Sequence, residues 1–173
     1  WQMNVHAMRL TQQLGFAYCS DGRGSYPHLP VWNAELIRCP QFPTTLPTLD
    51  ELIGRDGITA DNVAAYLLAS TAACAASATA RNHVFTLHAE LEGMKLAPVL
   101  EQLISGWRAQ GFALVPVRAL YDAVEPMALP RCATGPAAID GRSGTLLVQQ
   151  GEFLAEYDMA TTVQPKIQTM DMT

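Results

Sequence analysis

The stretch Thr86-Leu87-His88-Ala89-Glu90-Leu91-Glu92-Gly93 has the residue types and spacing that best suit acid–base chemistry. If it is extended, side chains alternate, so Thr86, His88, Glu90 and, in continuation, Glu92 share one face while Leu87 and Ala89 take the other. A histidine beside a carboxylate at the end of a strand, just ahead of a glycine turn, stands where α/β folds put active sites. His83 lies five residues before His88 and falls on the opposite face, so the two are not paired metal ligands on one strand. The plainer alternative is that His88 and Glu90 only hydrogen-bond to satisfy a polar strand end, and on the residues alone that alternative is favoured.

Two further segments carry polar groups of interest. Ser20-Asp21-Gly22-Arg23-Gly24 follows the short apolar run Phe16–Cys19, which puts a carboxylate and a guanidinium at one strand end, with glycines that permit a tight turn. It lacks the longer glycine pattern and the lysine of a phosphate loop, and on the residues alone an Asp-Gly turn with a surface arginine is the favoured reading. Pro40 to Glu51 has no generic chemistry, but Pro40, Pro43 and Pro47 make it a rigid wall or connector.

These segments need elements to position them. Asn4 can cap a first helix that Gly15 closes, with Val5, Met8 and Leu14 on one face. From Ser25 to Thr48 five prolines remove backbone donors, so no long central strand is expected there, and at most Gln41–Leu46 forms a short irregular one. A helix is expected from about Ala60 to Ala73 and a strand over His83–Glu90. The clearest helix follows, because Leu96, Val99, Leu100, Leu103, Ile104 and Trp107 recur at helical spacing. Gly111 stops it, and Phe112–Val117 reads as the next strand. Alternation of this kind predicts an α/β fold built on a parallel sheet or barrel. Past Pro130 the pattern weakens: Thr145–Gln150 and Glu152–Tyr157 are expected to pair as two short strands, and the last residues read as a flexible tail.

Composition narrows the function classes. With 49% hydrophobic and 16% charged residues in 173, the chain reads as a globular domain able to bury a core. A net charge of −5 with no basic run argues against a nucleic-acid partner and against a polybasic lipid-binding patch. No apolar run approaches the ~20 residues that span a bilayer. The four cysteines form no C-x-x-C pair and read as buried free thiols of a reducing compartment. The chain starts at Trp1 with no signal-like segment, which suggests that it begins in the middle of something larger.

Three segments together resemble the polysaccharide deacetylase family. Tyr18-x-Ser20-Asp21-x-Arg23-Gly24, Pro40-Gln41-x-Pro43-x-Thr45-Leu46-Pro47-Thr48-x-Asp50-Glu51-x-Ile53-Gly54 and Phe85-Thr86-x-His88-Ala89-Glu90-x-Glu92-Gly93 occur in the family's order and at matching distances. The resemblance runs over roughly residues 1–150 and is to the C-terminal half of members that deformylate a polyprenyl-phosphate-linked amino sugar. It implies an α/β fold, the C-terminal portion of a distorted (β/α) barrel incomplete at its N-terminus. Residues 1–130 would belong to the barrel, 131–160 to a C-terminal extension and 161–173 to a tail.

The resemblance also implies a metal-dependent amide hydrolase acting in envelope lipid modification. Its divalent metal ion would be held by residues upstream of Trp1, with none of the ligands in this chain. His88 would protonate the departing amine, and histidine's ordinary pKa of about 6.5 suits that role. Asp21 would be the carboxylate that supports His88. Ser20, Arg23, Thr45 and Glu90 would line the substrate, with Arg23 meeting the lipid-linked phosphate. The implied partners are the lipid-linked amino sugar and the missing N-terminal half, with no nucleic acid. Membrane contact would be peripheral, through the substrate, at the cytoplasmic side of the inner membrane. Gln2 stands where the family's motif has an arginine that orients the catalytic base, which leaves open a non-catalytic sugar- or polyprenyl-phosphate-binding homologue. Taken as it stands, the chain is expected to be inactive.

Overall fold

The computed structural model describes residues 3–75 and 82–154, and Gln2, the end of the Thr71–Ala80 stretch and the expected tail at 161–173 lie outside the described residues. The chain opens with α1 (Val5–Gln13), capped as its sequence predicts: the Asn4 side chain accepts from the Ala7 N–H at 2.9 Å. Gly15 leaves the helix at φ +72°, a conformation that needs no Cβ.

A four-stranded mixed sheet follows, in the order β2-β1-β3-β4, so the fold is mixed α/β. Its strands are β1 (Leu29–Trp32), β2 (Glu35–Leu36), β3 (Arg131–Ala137) and β4 (Leu146–Glu152). β1 and β3 run parallel, with Pro30 opposite Cys132, while β1–β2 and β3–β4 are antiparallel.

Several expectations are corrected here. Two short strands form within the proline-rich stretch, although only Gln41–Leu46 was expected to extend. Pro30 lacks a donor, but its carbonyl still accepts from the Ile37 N–H at 2.8 Å, and flanking Leu29 donates to the Pro130 carbonyl at 2.9 Å. Gln41 and Thr44 make only isolated bridges, to Cys19, His28 and Arg23. Leu146–Gln150 lies in β4, which ends at Glu152 and pairs with β3, while residues 155–157 of the second strand expected at Glu152–Tyr157 lie outside the described residues. The strands expected at His83–Glu90 and Phe112–Val117 do not form: residues 83–88 and 112–116 lie outside any helix or ladder among the described residues. Their β-branched and aromatic side chains favour extension, yet a strand also needs a neighbouring backbone to bond with.

The helices follow the sequence pattern more closely. α2 (Leu49–Leu52) is a single turn with a Thr48–Glu51 capping box. α3 (Val63–Ala75) packs on α4 (Ala97–Ala109), burying Val63, Leu67, Leu96, Val99, Leu103 and Trp107 with Leu46, Leu49 and Leu52. At this interface the Trp107 indole donates to the Thr71 hydroxyl at 3.2 Å, so the one polar group of the buried ring is satisfied. A π-helical turn at Leu91–Lys95 precedes α4, and α5 (Val117–Asp122) occupies the end of the run expected as a strand. A second, smaller core gathers Met3, Met8, Cys19, Ile37, Cys39 and Leu147 beneath the sheet. Cys19 and Cys39 are free thiols there, with their sulfurs 3.6 Å apart. Among the described residues no helix is long and apolar enough to cross a membrane.

Candidate active site

The capped turn α2 is the hub of the polar centre. Its capping box needs Glu51 at the third helical position, and this carries a carboxylate into the core, where Glu51 is 1% exposed. Left alone, burial would push that carboxyl up. The Thr48 N–H, Arg142 and Arg23 outweigh burial and hold Glu51 below the usual glutamate range. Thr48 N–H donates to Oε2 at 3.0 Å, Arg142 Nε donates to Oε1 at 2.6 Å, and Arg23 Nη2 pairs with the same Oε1. Arg23 spends its other terminal nitrogen on the Leu46 carbonyl at 2.8 Å.

Asp50, the neighbour of Glu51, turns outward. Its Oδ2 lies 3.4 Å from Arg142 Nη2, and its Oδ1 accepts from the Thr48 hydroxyl at 2.5 Å. The same Oδ1 lies 3.7 Å from His88 Nδ1. His88 sits at the end of the irregular segment 83–88, just ahead of the π-helical turn. Its backbone N–H donates to Glu92 Oε2 at 2.8 Å, while the Leu91 and Glu92 amides return to the His88 carbonyl at 3.0 Å. The main chain at His88 is thus held from both sides, with its ring directed at a carboxylate.

The sequence-derived residues fall around this centre unevenly. Ser20 donates its hydroxyl to the Phe42 carbonyl at 2.7 Å, and the Asp21 amide donates to Gln41 Oε1 at 3.2 Å, so the Ser20–Gly24 loop is laced to the proline-rich wall. The carboxylate at ion-pair distance from His88 is Asp50, not Asp21. Arg23, expected to face a phosphate, is 7% exposed and committed to Glu51 and Leu46. Thr45 bridges to the 83–88 segment: its amide donates to the Val84 carbonyl at 3.0 Å and its hydroxyl accepts from the Val84 N–H at 2.9 Å. The adjacent Thr44 hydroxyl meets that of Thr86 at 2.6 Å. Glu90 is exposed on the turn and does not bond to His88; Glu92 does.

Arg23 and Thr45 come together in the lining of a polar cavity of about 410 Å³, with Thr44, Glu51, Arg55 and Tyr66. A second cavity of about 330 Å³ is apolar and lies between segments 83–88 and 112–116, lined by Phe85, Leu87, Leu100, Trp107, Leu114 and Val115 among others.

Two participants were missed by sequence reading. Asp50 lay inside a quoted motif without a role, and Arg142 lay in a stretch with no pattern. A capping-box reading of Thr48-Leu49-Asp50-Glu51 singles out Glu51 and not its neighbour Asp50. No local signal pointed to Arg142, which meets α2 across 91 residues of chain. Among the described residues no three His, Cys, Asp or Glu side chains converge to hold a metal ion.

No protein-family model matches the chain. Over 146 residues, 84% of its length, it is 34% identical to a protein of Shewanella sediminis named probable 4-deoxy-4-formamido-L-arabinose-phosphoundecaprenol deformylase. Over 152 residues, 87% of its length, it is 30% identical to a protein of the same name from Wigglesworthia glossinidia brevipalpis. The aligned parts are 44% and 50% of those relatives, so the chain spans about half the length of the proteins it matches. Across most of its own length, the chain is therefore a homologue of part of the proteins named as formamido-arabinose deformylases.

Proposed function

We propose that this chain supplies the proton-donating, substrate-lining part of an amide hydrolase that deformylates, or deacetylates, a polyprenyl-phosphate-linked amino sugar in lipid A and envelope modification. The similarity to proteins named for that activity carries the proposal, and His88, with its backbone held by Glu92 and its ring 3.7 Å from Asp50, gives it a mechanism. In it, His88 passes a proton from Nε2 to the departing amine nitrogen while Asp50 faces Nδ1. Asp21 is assigned the second carboxylate of the centre. Ser20, Thr45 and Glu90 are assigned to the substrate wall, and Arg23 to its floor beside the polar cavity.

The divalent metal ion and the rest of a distorted barrel are assigned to the length of the relatives that this chain does not span. In a barrel the segments 83–88 and 112–116, whose side chains favour strands, would have neighbouring backbones to pair with. Contact with the membrane is assigned to the lipid-linked substrate, at the cytoplasmic face of the inner membrane.

The test is formate release from the formamido-sugar lipid by the chain joined to an upstream half taken from a relative. The joined protein is expected to turn over, and His88→Ala is expected to lower kcat by about 10²–10⁴. Full turnover by that variant would remove His88 from the mechanism. Substrate binding without formate release in the joined protein would favour the non-catalytic reading that Gln2 raises.

A further inference from the structure

We propose that Arg142 is a positioning residue for His88, acting through Asp50. Two independent features bring the β3–β4 loop onto α2. Gly141 has φ +86°, and a Cβ there would overlap the Glu51 carbonyl, so the backbone of the loop lies directly on the turn. Arg142 then spreads its guanidinium across both acids, with Nε on Glu51 Oε1 at 2.6 Å and Nη2 at 3.4 Å from Asp50 Oδ2. A planar fork that meets two carboxylates fixes their relative orientation, which a lysine's point charge does not.

The consequence falls on the other oxygen of Asp50. With Oδ2 turned to Arg142, Oδ1 is left to the Thr48 hydroxyl and to His88 Nδ1, 3.7 Å away. A carboxylate on that side favours the neutral ring whose hydrogen is on Nδ1. That is the form left after a proton departs from Nε2, so the arrangement selects the nitrogen that faces substrate. In this proposal Arg142 works through Asp50 rather than on the reacting atoms. It sets the rotamer of the acid that does face the ring.

The catalytic meaning rests on His88 being the proton donor, but the test requires no turnover. Nitrogen-15 ring shifts of the four histidines, recorded on the 173-residue chain above the histidine titration range, report each ring's tautomer. His88 is expected to be mainly Nδ1–H. Arg142→Gln and, separately, Asp50→Asn are expected to lower the Nδ1–H to Nε2–H ratio several-fold, while Arg142→Lys recovers it only in part. The signals of His28 and His83, which contact neither acid, serve as internal reporters of an intact fold. An unchanged His88 tautomer in Arg142→Gln would overturn the proposal. So would a variant in which His28 and His83 move in step with His88, since that is the mark of a purely structural role. A failed formate assay beside the expected tautomer shift would count against the hydrolase reading and not against this one.

Discussion

Arg23 and Arg118 both present a guanidinium to a carboxylate, one in the interior and one at the surface. Arg23 and its partner Glu51 have side chains 8% and 1% exposed, and Arg142 closes a chain of alternating charge on the same acid. Arg118 pairs with Asp122 one helical turn along α5 at 2.7 Å, but both are more than half exposed. Water solvates the surface pair whether or not it is made, so little is gained by making it. In the interior there is no such alternative. Each buried charge is tolerable only because the others are there, and removing one strands its partners. The two regions teach that ion pairing is a weak guide to importance unless burial accompanies it, and here burial coincides with the candidate active site.

The largest effect should come from Glu51→Ala, which leaves two guanidiniums against a core that lost its anion. Urea unfolding is expected to show a loss of about 3–5 kcal/mol. A loss below about 1 kcal/mol would mean that the interior chain is no different from the surface pair.

His28 extends the contrast to a buried group that is kept neutral. It is 2% exposed, and burial lowers its pKa to about 4 against the small opposing pull of the Tyr26 carbonyl. The unfolded chain therefore binds this proton at higher pH than the folded one. The stability involved is complete above about pH 6.5 and is lost as pH falls toward 4, a change of roughly 3 kcal/mol. Glu51 adds to the acid side of the profile. Its folded pKa is depressed, so its contribution holds above the ordinary glutamate value and fades as pH drops through the lowered one. Unfolding free energy measured against pH should slope upward from 4 to 6.5 in the parent chain. His28→Gln should flatten that slope, and an unchanged slope would show that the ring is not the source.

Gly141→Ala tests the contact that delivers Arg142 to the interior chain. A side chain at φ +86° against the Glu51 carbonyl is expected to destabilise by more than about 1 kcal/mol. The same substitution at Gly144, where φ is +78° but no atom lies near, separates backbone strain from the close approach and should have the smaller effect. Smallest of all is Asp122→Ala at the surface, for which no measurable shift in the unfolding midpoint is expected. A clear shift there would break the comparison from its weak side.

The helices were legible in the sequence because their signals are local. Asn4 and Gly15 bracket α1, and the apolar spacing from Leu96 to Trp107 marks α4. His88 was legible as a chemical candidate through its neighbours and through the likeness of its segment to a known motif. Strand propensity at Val84–Leu87 and Phe112–Val115 pointed to strands that do not form among the described residues, because whether a run becomes a strand depends on which backbone lies beside it. That is a property of distant chain, so these runs form no ladder among the described residues, while Leu29–Trp32, with a proline inside it, joins the sheet through the parallel β3. The partner of His88 was decided in the same way. Nothing near Asp21 or Asp50 in sequence distinguishes them as its carboxylate. Only when the β3–β4 loop settles Arg142 onto α2 does Asp50 acquire its orientation, because a charge is aimed by contacts that sequence proximity does not supply. The sequence by itself determined which residues could do acid–base chemistry and which segments turn or coil; tertiary packing alone decided which of those charges are buried together, and hence which of them matter.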